Sequence, residues 1–395
     1  MPRRNLGLQD LKLAHQLVLA RVDFNRPMSA GAIADDNRLV ATFPTLRYLR
    51  ERRARTVLCS HLGRPKGKPD ARYTLRPIAE QLERLLAASS WAGAGNVGFC
   101  PATVGPLAEE MAAKLEPGGF LLLENLRFQP GEEANDPAFA RQLAALGELY
   151  VDDAFGVAHR AHASNSAVVQ FFPQAAAGLL LQRELDYLTR IRDADEHPFL
   201  VLLGGAKASD KLPLVTHLAA RADQILIGGG MAYTFLRALE RGIGDSLVEP
   251  ERVAAARALL DHARPGQIVL PVDHVLDNGA IVADIPPGAK AFDIGPSTRA
   301  LFARHIAAAR ILFWNGPMGV FEKPPFDAGT LAVARAVAAC PGVTVAGGGD
   351  SVAALRAAGL EDQLDHISTG GGAALEFLAG ETLPGLEALT ARGPI

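Results

Sequence analysis

Cysteine is scarce and scattered. Cys59, Cys100 and Cys340 are the only three in 395 residues, and no C-x-x-C pair occurs. That excludes a disulfide framework or a cysteine zinc site, and it fits a reducing, cytoplasmic setting. Long apolar runs are missing as well. No stretch reaches the roughly 18 residues that a membrane-spanning helix needs, so no membrane partner is expected. The opening MPRRNLGLQDLKLAHQL is basic, but Lys12 and His15 interrupt any apolar core, so it does not read as a secretory signal. Charge of one sign is lacking too. A formal net charge of −3 gives no global pull toward nucleic acid, and any anion site must be a local cluster.

What is present is an ordinary globular composition, 49% hydrophobic and 21% charged, which argues against disorder. Domains run to roughly 100–200 residues, so this length implies two. Short apolar runs recur, each followed by a polar or glycine-rich loop and then an amphipathic stretch. In the first half they fall at 17–22, 56–60, 97–100, 120–123 and 149–151. In the second they fall at 198–203, 224–227, 267–270, 311–314, 343–346 and 366–368. Continuous rather than alternating runs suit strands buried on both faces. Helices are expected from Arg76, Pro137 and Glu249. The repeated order predicts an α/β fold of two Rossmann-like, doubly wound parallel-sheet lobes. The rhythm breaks at 170–191, where a helical pattern arrives with no strand before it. The expected division is a domain over 1–170, a second over 171–379 that includes this connecting hinge helix, and a tail over 380–395 packing back on the first.

Ligands of open parallel sheets bind beyond the carboxyl ends of the strands. In the first half those loops read DFNRPM (23–28), SHLGRPKGK (60–68), ENLRFQPGEE (124–133) and DDAFGVAHRAHAS (152–164). Each carries an arginine, and Arg38 follows the first, just after a helix start at Asp35–Asp36. Arg38, His61, Arg64, Arg127, His159, Arg160 and His162 are therefore expected on one rim. The planar guanidinium fork suits phosphate and carboxylate. Asp23 and Asn25 can accept from a hydroxyl. A single arginine of this kind is more often a surface ion-pair partner, but a set repeated after four strands is not.

The second-half loops change character: GGAKASDK (204–211), GGGMAY (228–233), DIGP (293–296), WNGPMGVFE (314–322), GGGDS (347–351) and STGGGAALE (368–376). Glycines let backbone N–H groups approach phosphate oxygens, and helix N-termini favour anions. Lys207 and Lys211 are four apart and would share one face of a helix. Asp350 suits a hard cation such as Mg²⁺ beside phosphates, and Glu322 suits ribose hydroxyls. Three patterns carry less. GAGNVG (93–98) precedes its strand instead of following it, so the dinucleotide fingerprint lacks its context. GRPKGK (63–68) has three residues between its glycines rather than the four of a Walker A loop. His159 and His162 lack the companions of a metal site, and anion contact or packing is the better reading.

The strings RVDFN, SHLGRPKG, LLLENLRF, DAFGVAHRAHAS, LGGAKASDK, GGGMAYTF, DIGP, WNGPMGVFE, GGGDS and STGGGA extend from about residue 21 to 376. In this order and spacing they resemble phosphoglycerate kinases. The resemblance implies reversible, Mg²⁺-dependent phosphoryl transfer between ATP and 3-phosphoglycerate by a monomer whose lobes close on a hinge. It places the glycerate substrate on Asp23, Phe24, Asn25, Arg38, His61, Leu62, Gly63, Arg64, Arg127 and Arg160. It places the nucleotide on Gly205, Ala206, Lys207, Lys211, Gly230, Gly295, Asn315, Glu322, Gly348, Gly349, Asp350 and Ser351, with Asp350 near the metal. Arg26 and the stretch NSAVVQFF depart from the family pattern, and neither carries an assigned role.

The acceptor so implied is a carboxylate, ionised near pH 7, so no general base is needed. The obstacle is repulsion between anions, and Arg38 and Lys211 are expected to flank the transferring group as the catalytic pair. A nicotinamide-dependent dehydrogenase is the rival enzyme, but its glycine fingerprint after the first strand is replaced by DFNRPM. A nucleotide-binding pseudo-enzyme is the non-catalytic rival, and it predicts loss of Arg38 or Lys211, which are both present.

Overall fold

Most of the continuous apolar runs become parallel strands buried on both faces. The computed structural model describes residues 7–25, 28–29, 32–33, 36–90 and 97–390. The chain divides into two compact units, Met1–Leu185 with Thr382–Ile395, and Asp186–Glu381. Arg26, Asp35 and most of the GAGNVG string lie outside the described residues.

The first unit holds β1 (Leu17–Val22), a ribbon of β2 (Met28–Ser29) and β3 (Ala32–Ile33), β4 (Arg55–Cys59), β5 (Val97–Cys100), β6 (Phe120–Leu123), β7 (Leu149–Asp153) and β8 (Ala175–Ala177). Its main sheet is parallel, in the order β5-β6-β4-β1-β7-β8. The order runs outward from β1 through β4 on one side and through β7 on the other. A doubly wound sheet opens its crevice at such a switch point. Helices cover the sheet with one apolar stripe each. In Arg76–Ala87 the buried residues are Ile78, Ala79, Leu82 and Leu86, at the three- and four-residue spacing of a single face. A proline opens Pro137–Ala144, and Asp136 accepts from Ala138 N–H at 2.8 Å to cap it.

The expectation that the helix after residue 170 lacks a preceding strand is corrected. β8 pairs in parallel with β7 just before it. Three alanines carry no β-branched or aromatic signal, so this edge strand was silent in the sequence. The first unit also keeps residues 171–185, and the division falls inside the helix Leu179–Arg192. Thr45 Oγ1 accepts from Leu179 N–H at 2.9 Å, and Asp153 Oδ1 accepts from Leu180 and Leu181 at 3.0 and 3.2 Å, tying the start of that helix to the first sheet. The segment Pro384–Thr390 returns to the same unit, with Gly385 N–H donating to Ala158 O at 2.9 Å.

The second unit repeats the plan. β9 (Phe199–Leu203), β10 (Gln224–Ile227), β11 (Ile268–Val269), β15 (Ile311–Asn315), β16 (Val343–Gly347) and β17 (His366–Ile367) form a parallel sheet ordered β11-β10-β9-β15-β16-β17, with its switch point between β9 and β15. All five residues of β9 and of β15 are buried, Trp314 among them. A small antiparallel sheet of β12 (His274–Leu276), β13 (Ile281–Val282) and β14 (Ala291–Ile294), absent from the sequence reading, is inserted between β11 and β15.

Candidate active site

The first unit opens a cavity of ≈ 150 Å³ at its switch point. Asp23, Asn25 and Arg38 reach it from the chain after β1, His61, Gly63 and Arg64 from the loop after β4, and Arg127 from the loop after β6. Gly156, Val157 and Arg160 come from the loop after β7. Eight of the ten residues assigned to the substrate are thus brought together. Phe24 and Leu62 are not: their side chains lie in the hydrophobic core, 0% and 1% exposed. A motif read as a string carries its core neighbours along with its polar members. Gly156 and Val157 were missed, having no side-chain chemistry to mark them.

Four arginines face a single acid, and Arg38 already donates to that acid, Asp23. Asn25 Oδ1 accepts from Gly63 N–H at 2.9 Å, fixing the loop edge. Arg127 is 2% exposed and spends one donor, Nη1, on Gly63 O at 2.7 Å. Glu133 lies 3.2 Å from its Nε, yet Nε and Nη2 are buried without a hydrogen-bond partner. Unspent buried donors are costly, and an anionic ligand relieves that cost. Burial lowers the Arg127 pKa, and Arg160 and Arg21 add to the fall.

A buried network lies behind the cavity. Arg21, fully buried, donates from Nε to Ser164 Oγ at 2.8 Å, and Ser164 Oγ donates to Glu132 Oε1 at 2.6 Å. Arg21 Nη2 lies 3.1 Å from His61 Nδ1. A guanidinium only donates, so Nδ1 is the acceptor and the His61 proton sits on Nε2. Burial, then Arg21 and Arg127, holds the His61 pKa well below the usual histidine range, so it faces the cavity as a neutral donor. His162 belongs to this network and does not line the cavity: its Nδ1 is 3.8 Å from Glu132 Oε1, and burial with Arg21 pushes its pKa down to about 3. His159 Nε2 accepts from Arg160 Nε at 3.1 Å and so orients that arginine. Among the described residues no three potential metal-ligating side chains cluster.

The second unit has a larger cleft of ≈ 480 Å³ beyond its own strand ends. Gly205, Ala206, Gly230, Glu322 and Asp350 line it as expected. Lys211 sits beneath it, donating to Gly204 O and, at 3.2 Å, to Asn315 O. Burial brings the Lys211 pKa down to about 8, against the pull of Asp350 and Asp210. The shared helix face for Lys207 and Lys211 is corrected. Both precede the helix Leu212–Ala219, Lys211 as its N-cap residue, and Lys207 is exposed and outside the cleft lining.

Several assigned residues brace the cleft from behind. Asn315 Nδ2 donates to Gly347 O at 2.8 Å, and Ser351 Oγ accepts from Gly316 N–H at 2.6 Å. Gly348 and Gly349 open the helix Gly349–Ala357, which carries Asp350 in its first turn. Gly295 goes elsewhere. The helix start it precedes is filled by Asp273, whose carboxylate accepts from Ser297 and Thr298 N–H at 2.8 and 2.7 Å, leaving no room there for a ligand phosphate. The apolar wall was missed: Tyr233, Leu247, Phe292, Pro317 and Val320 line the cleft, and Leu247 is 53% exposed. In sequence these residues cannot be told from core, and only their place around the cleft distinguishes them.

The family model for phosphoglycerate kinase matches residues 8–381. The chain belongs to the phosphoglycerate kinase family. A curated phosphoglycerate kinase of Koribacter versatilis is 51% identical, over 98% of this chain and 99% of that protein. Another, from Acidobacterium capsulatum, is 50% identical over the same shares. The solved phosphoglycerate kinase structure from Coxiella burnetii superposes with a TM-score of 0.88 at 36% identity, covering 99% of this chain and 100% of that one. That from Pyrococcus horikoshii gives 0.86 at 33%, covering 98% and 99%. Phosphoglycerate kinases thus share both the two-sheet fold and the full length of this chain.

Proposed function

We propose a division of labour between the two sites. The chain catalyses reversible phosphoryl transfer between ATP and the carboxylate of 3-phospho-D-glycerate, giving 1,3-bisphosphoglycerate and ADP, a step of glycolysis. The arginine-lined cavity of the first unit takes the phosphoglycerate, and the cleft of the second takes the nucleotide. One observation carries this reading: buried, unspent guanidinium donors on Arg127 in a cavity whose one acid is already held by Arg38. Such a wall favours a small ligand bearing both phosphate and carboxylate. Asp23 and Asn25 add acceptors for its hydroxyl. In the cleft, the apolar wall suits the purine, Glu322 the ribose, and the Gly205–Ala206 loop the phosphates.

In the forward step a substrate carboxylate oxygen bonds to the γ-phosphorus, and the bond from that phosphorus to the β–γ bridging oxygen breaks, so ADP leaves with the electron pair. The attacking group is already anionic, and no side chain has to remove a proton. Arg38 and Lys211 offset the charge that gathers on the transferring group. Asp350, an exposed carboxylate on the cleft wall, fits Mg²⁺, which binds through one or two carboxylates together with nucleotide phosphates. When bound, that ion neutralises charge on the phosphate oxygens. Acceptor and donor are seated by different units, so transfer requires a closure that also keeps water from the acyl phosphate. We further propose that the enzyme acts as a cytoplasmic monomer.

Titration calorimetry of 3-phosphoglycerate into the wild type and Arg127→Ala tests the acceptor site. Losing charge-assisted bonds from a buried guanidinium should weaken binding by roughly ten- to a hundredfold. Unchanged affinity in a folded variant would remove Arg127 from the site and take the main support from this reading.

A further inference from the structure

The second unit contains a buried carboxylate with no part in the chemistry above. Asp293, at the end of β14, is 1% exposed. Its Oδ1 accepts from Ile294 N–H at 2.8 Å. Its Oδ2 accepts from Gly329 N–H at 2.6 Å and from Arg299 Nη2 at 3.1 Å. Arg299 also donates from Nε to Ile294 O at 3.1 Å, so the guanidinium clamps the end of β14 from two sides. The carboxylate is shut off from solvent.

It approaches the cleft wall at Gly319. A methyl group placed on Gly319 would lie 2.3 Å from Asp293 Oδ1, and one on Gly329 would lie 2.1 Å from the same oxygen. The loop and the start of the helix Ala328–Ala338 therefore close directly onto the carboxylate, and glycine is required at both points of approach. The neighbouring residue continues the arrangement: Val320 N–H donates to Phe292 O at 2.8 Å, and both residues line the cleft. The height of the Gly319–Val320 segment above β14 is thus set by Asp293.

We infer that Asp293 is a positioning residue for the nucleotide, fixing the Gly319–Val320 wall of the cleft through its contacts with Gly319, Gly329 and Arg299. This rests on the reading of the cleft as the nucleotide site. The acceptor count explains why an acid is needed. Both oxygens face donors, two backbone N–H groups and a guanidinium, so an amide in this place always sets a donor against a donor. Ionisation matters for the same reason. Burial pushes the Asp293 pKa up to about 6, while the Gly329 N–H and Arg299 pull it down, so the group is mainly ionised at neutral pH. Asp327 raises it further, and Arg299 is the cation facing it.

The test is equilibrium binding of ADP and, separately, of 3-phosphoglycerate to the full-length wild type, Asp293→Asn and Gly329→Ala. Gly329 does not line the cleft; its methyl would displace the Asp293 carboxylate, together with Ile294 Cγ1, which would lie 2.6 Å from it. Displacement of the Gly319–Val320 wall predicts an ADP affinity weaker by roughly tenfold or more in both variants. The affinity for 3-phosphoglycerate should stay at the wild-type value, and KM for ATP should rise with kcat at saturation retained. Normal ADP affinity in either folded variant overturns the inference, as does a matching loss for 3-phosphoglycerate, which marks a general structural defect. Should Asp293→Asn not fold, Gly329→Ala decides alone. A wild type that binds no ADP instead overturns the assignment of the cleft, and the two failures are told apart by that control.

Discussion

Alkali removes the charge on Lys211 well before it would on an exposed lysine. Its ammonium is buried, donates to Gly204 O and Asn315 O, and titrates at about 8. Lysine is charged below its pKa and neutral above it, so the cation is present at pH 7 and lost as the pH climbs through 8. From that pKa, about 90% of the free enzyme carries the charge at pH 7 and about 10% at pH 9. The pH profile of kcat/KM for ATP reports the free enzyme. It should therefore fall about tenfold across that interval if the charged form alone is active. The limb in kcat should lie at higher pH, because bound phosphates stabilise the ammonium. Buried Cys59, with its thiol pushed up to about 12, does not confuse this window. Lys211→Arg is the control: a guanidinium stays charged throughout, so whatever activity remains should show no limb near 8. A wild-type profile flat to pH 10, or the same limb in the arginine variant, refutes the argument.

Two further perturbations follow from close contacts. Gly316 has φ +99°, and a methyl there would sit 2.4 Å from Lys211 Nζ. The same methyl would meet Gly204 O as closely, so Gly316→Ala should lower kcat by an order of magnitude or more through displacement of the amine and the Gly204 carbonyl that holds it, while calorimetry finds 3-phosphoglycerate affinity intact. Asp153, fully buried at the end of β7 and accepting from the first turn of the connecting helix, has its pKa pushed up to about 7, mainly by burial. Between the unfolded carboxylate pKa near 4 and this folded value, the native state binds the extra proton. Stability should thus fall as the pH rises through that window. Asp153→Asn should flatten this slope in urea titrations at pH 5 and pH 8, and an unchanged slope would acquit Asp153.

The strands were legible because burial on both faces demands unbroken apolar runs, as in FLVLL and ILFWN. β8 was not, since Ala175–Ala177 lack any β signal and earn their place only by pairing with β7. The arginine cavity could be read because charge after successive strands has one plausible meeting place. Lys207 and Lys211 were placed on one helix by spacing alone, and the chain starts that helix only after Lys211. Gly295 was misleading for a physical reason: a free helix start attracts anions, but Asp273, twenty-two residues earlier in the chain, already supplies one. Leu247 and Val320 were invisible because hydrophobicity does not say whether a side chain faces a core or a ligand.

The most direct test of the account is a coupled assay of ATP consumption with 3-phosphoglycerate and Mg²⁺, comparing wild type with Arg38→Ala and Lys211→Ala. The account predicts a fast wild type and a kcat lower by about two to three orders of magnitude in each folded variant. Turnover that survives either change would contradict the claim that a cation from each unit neutralises the transferring phosphoryl group.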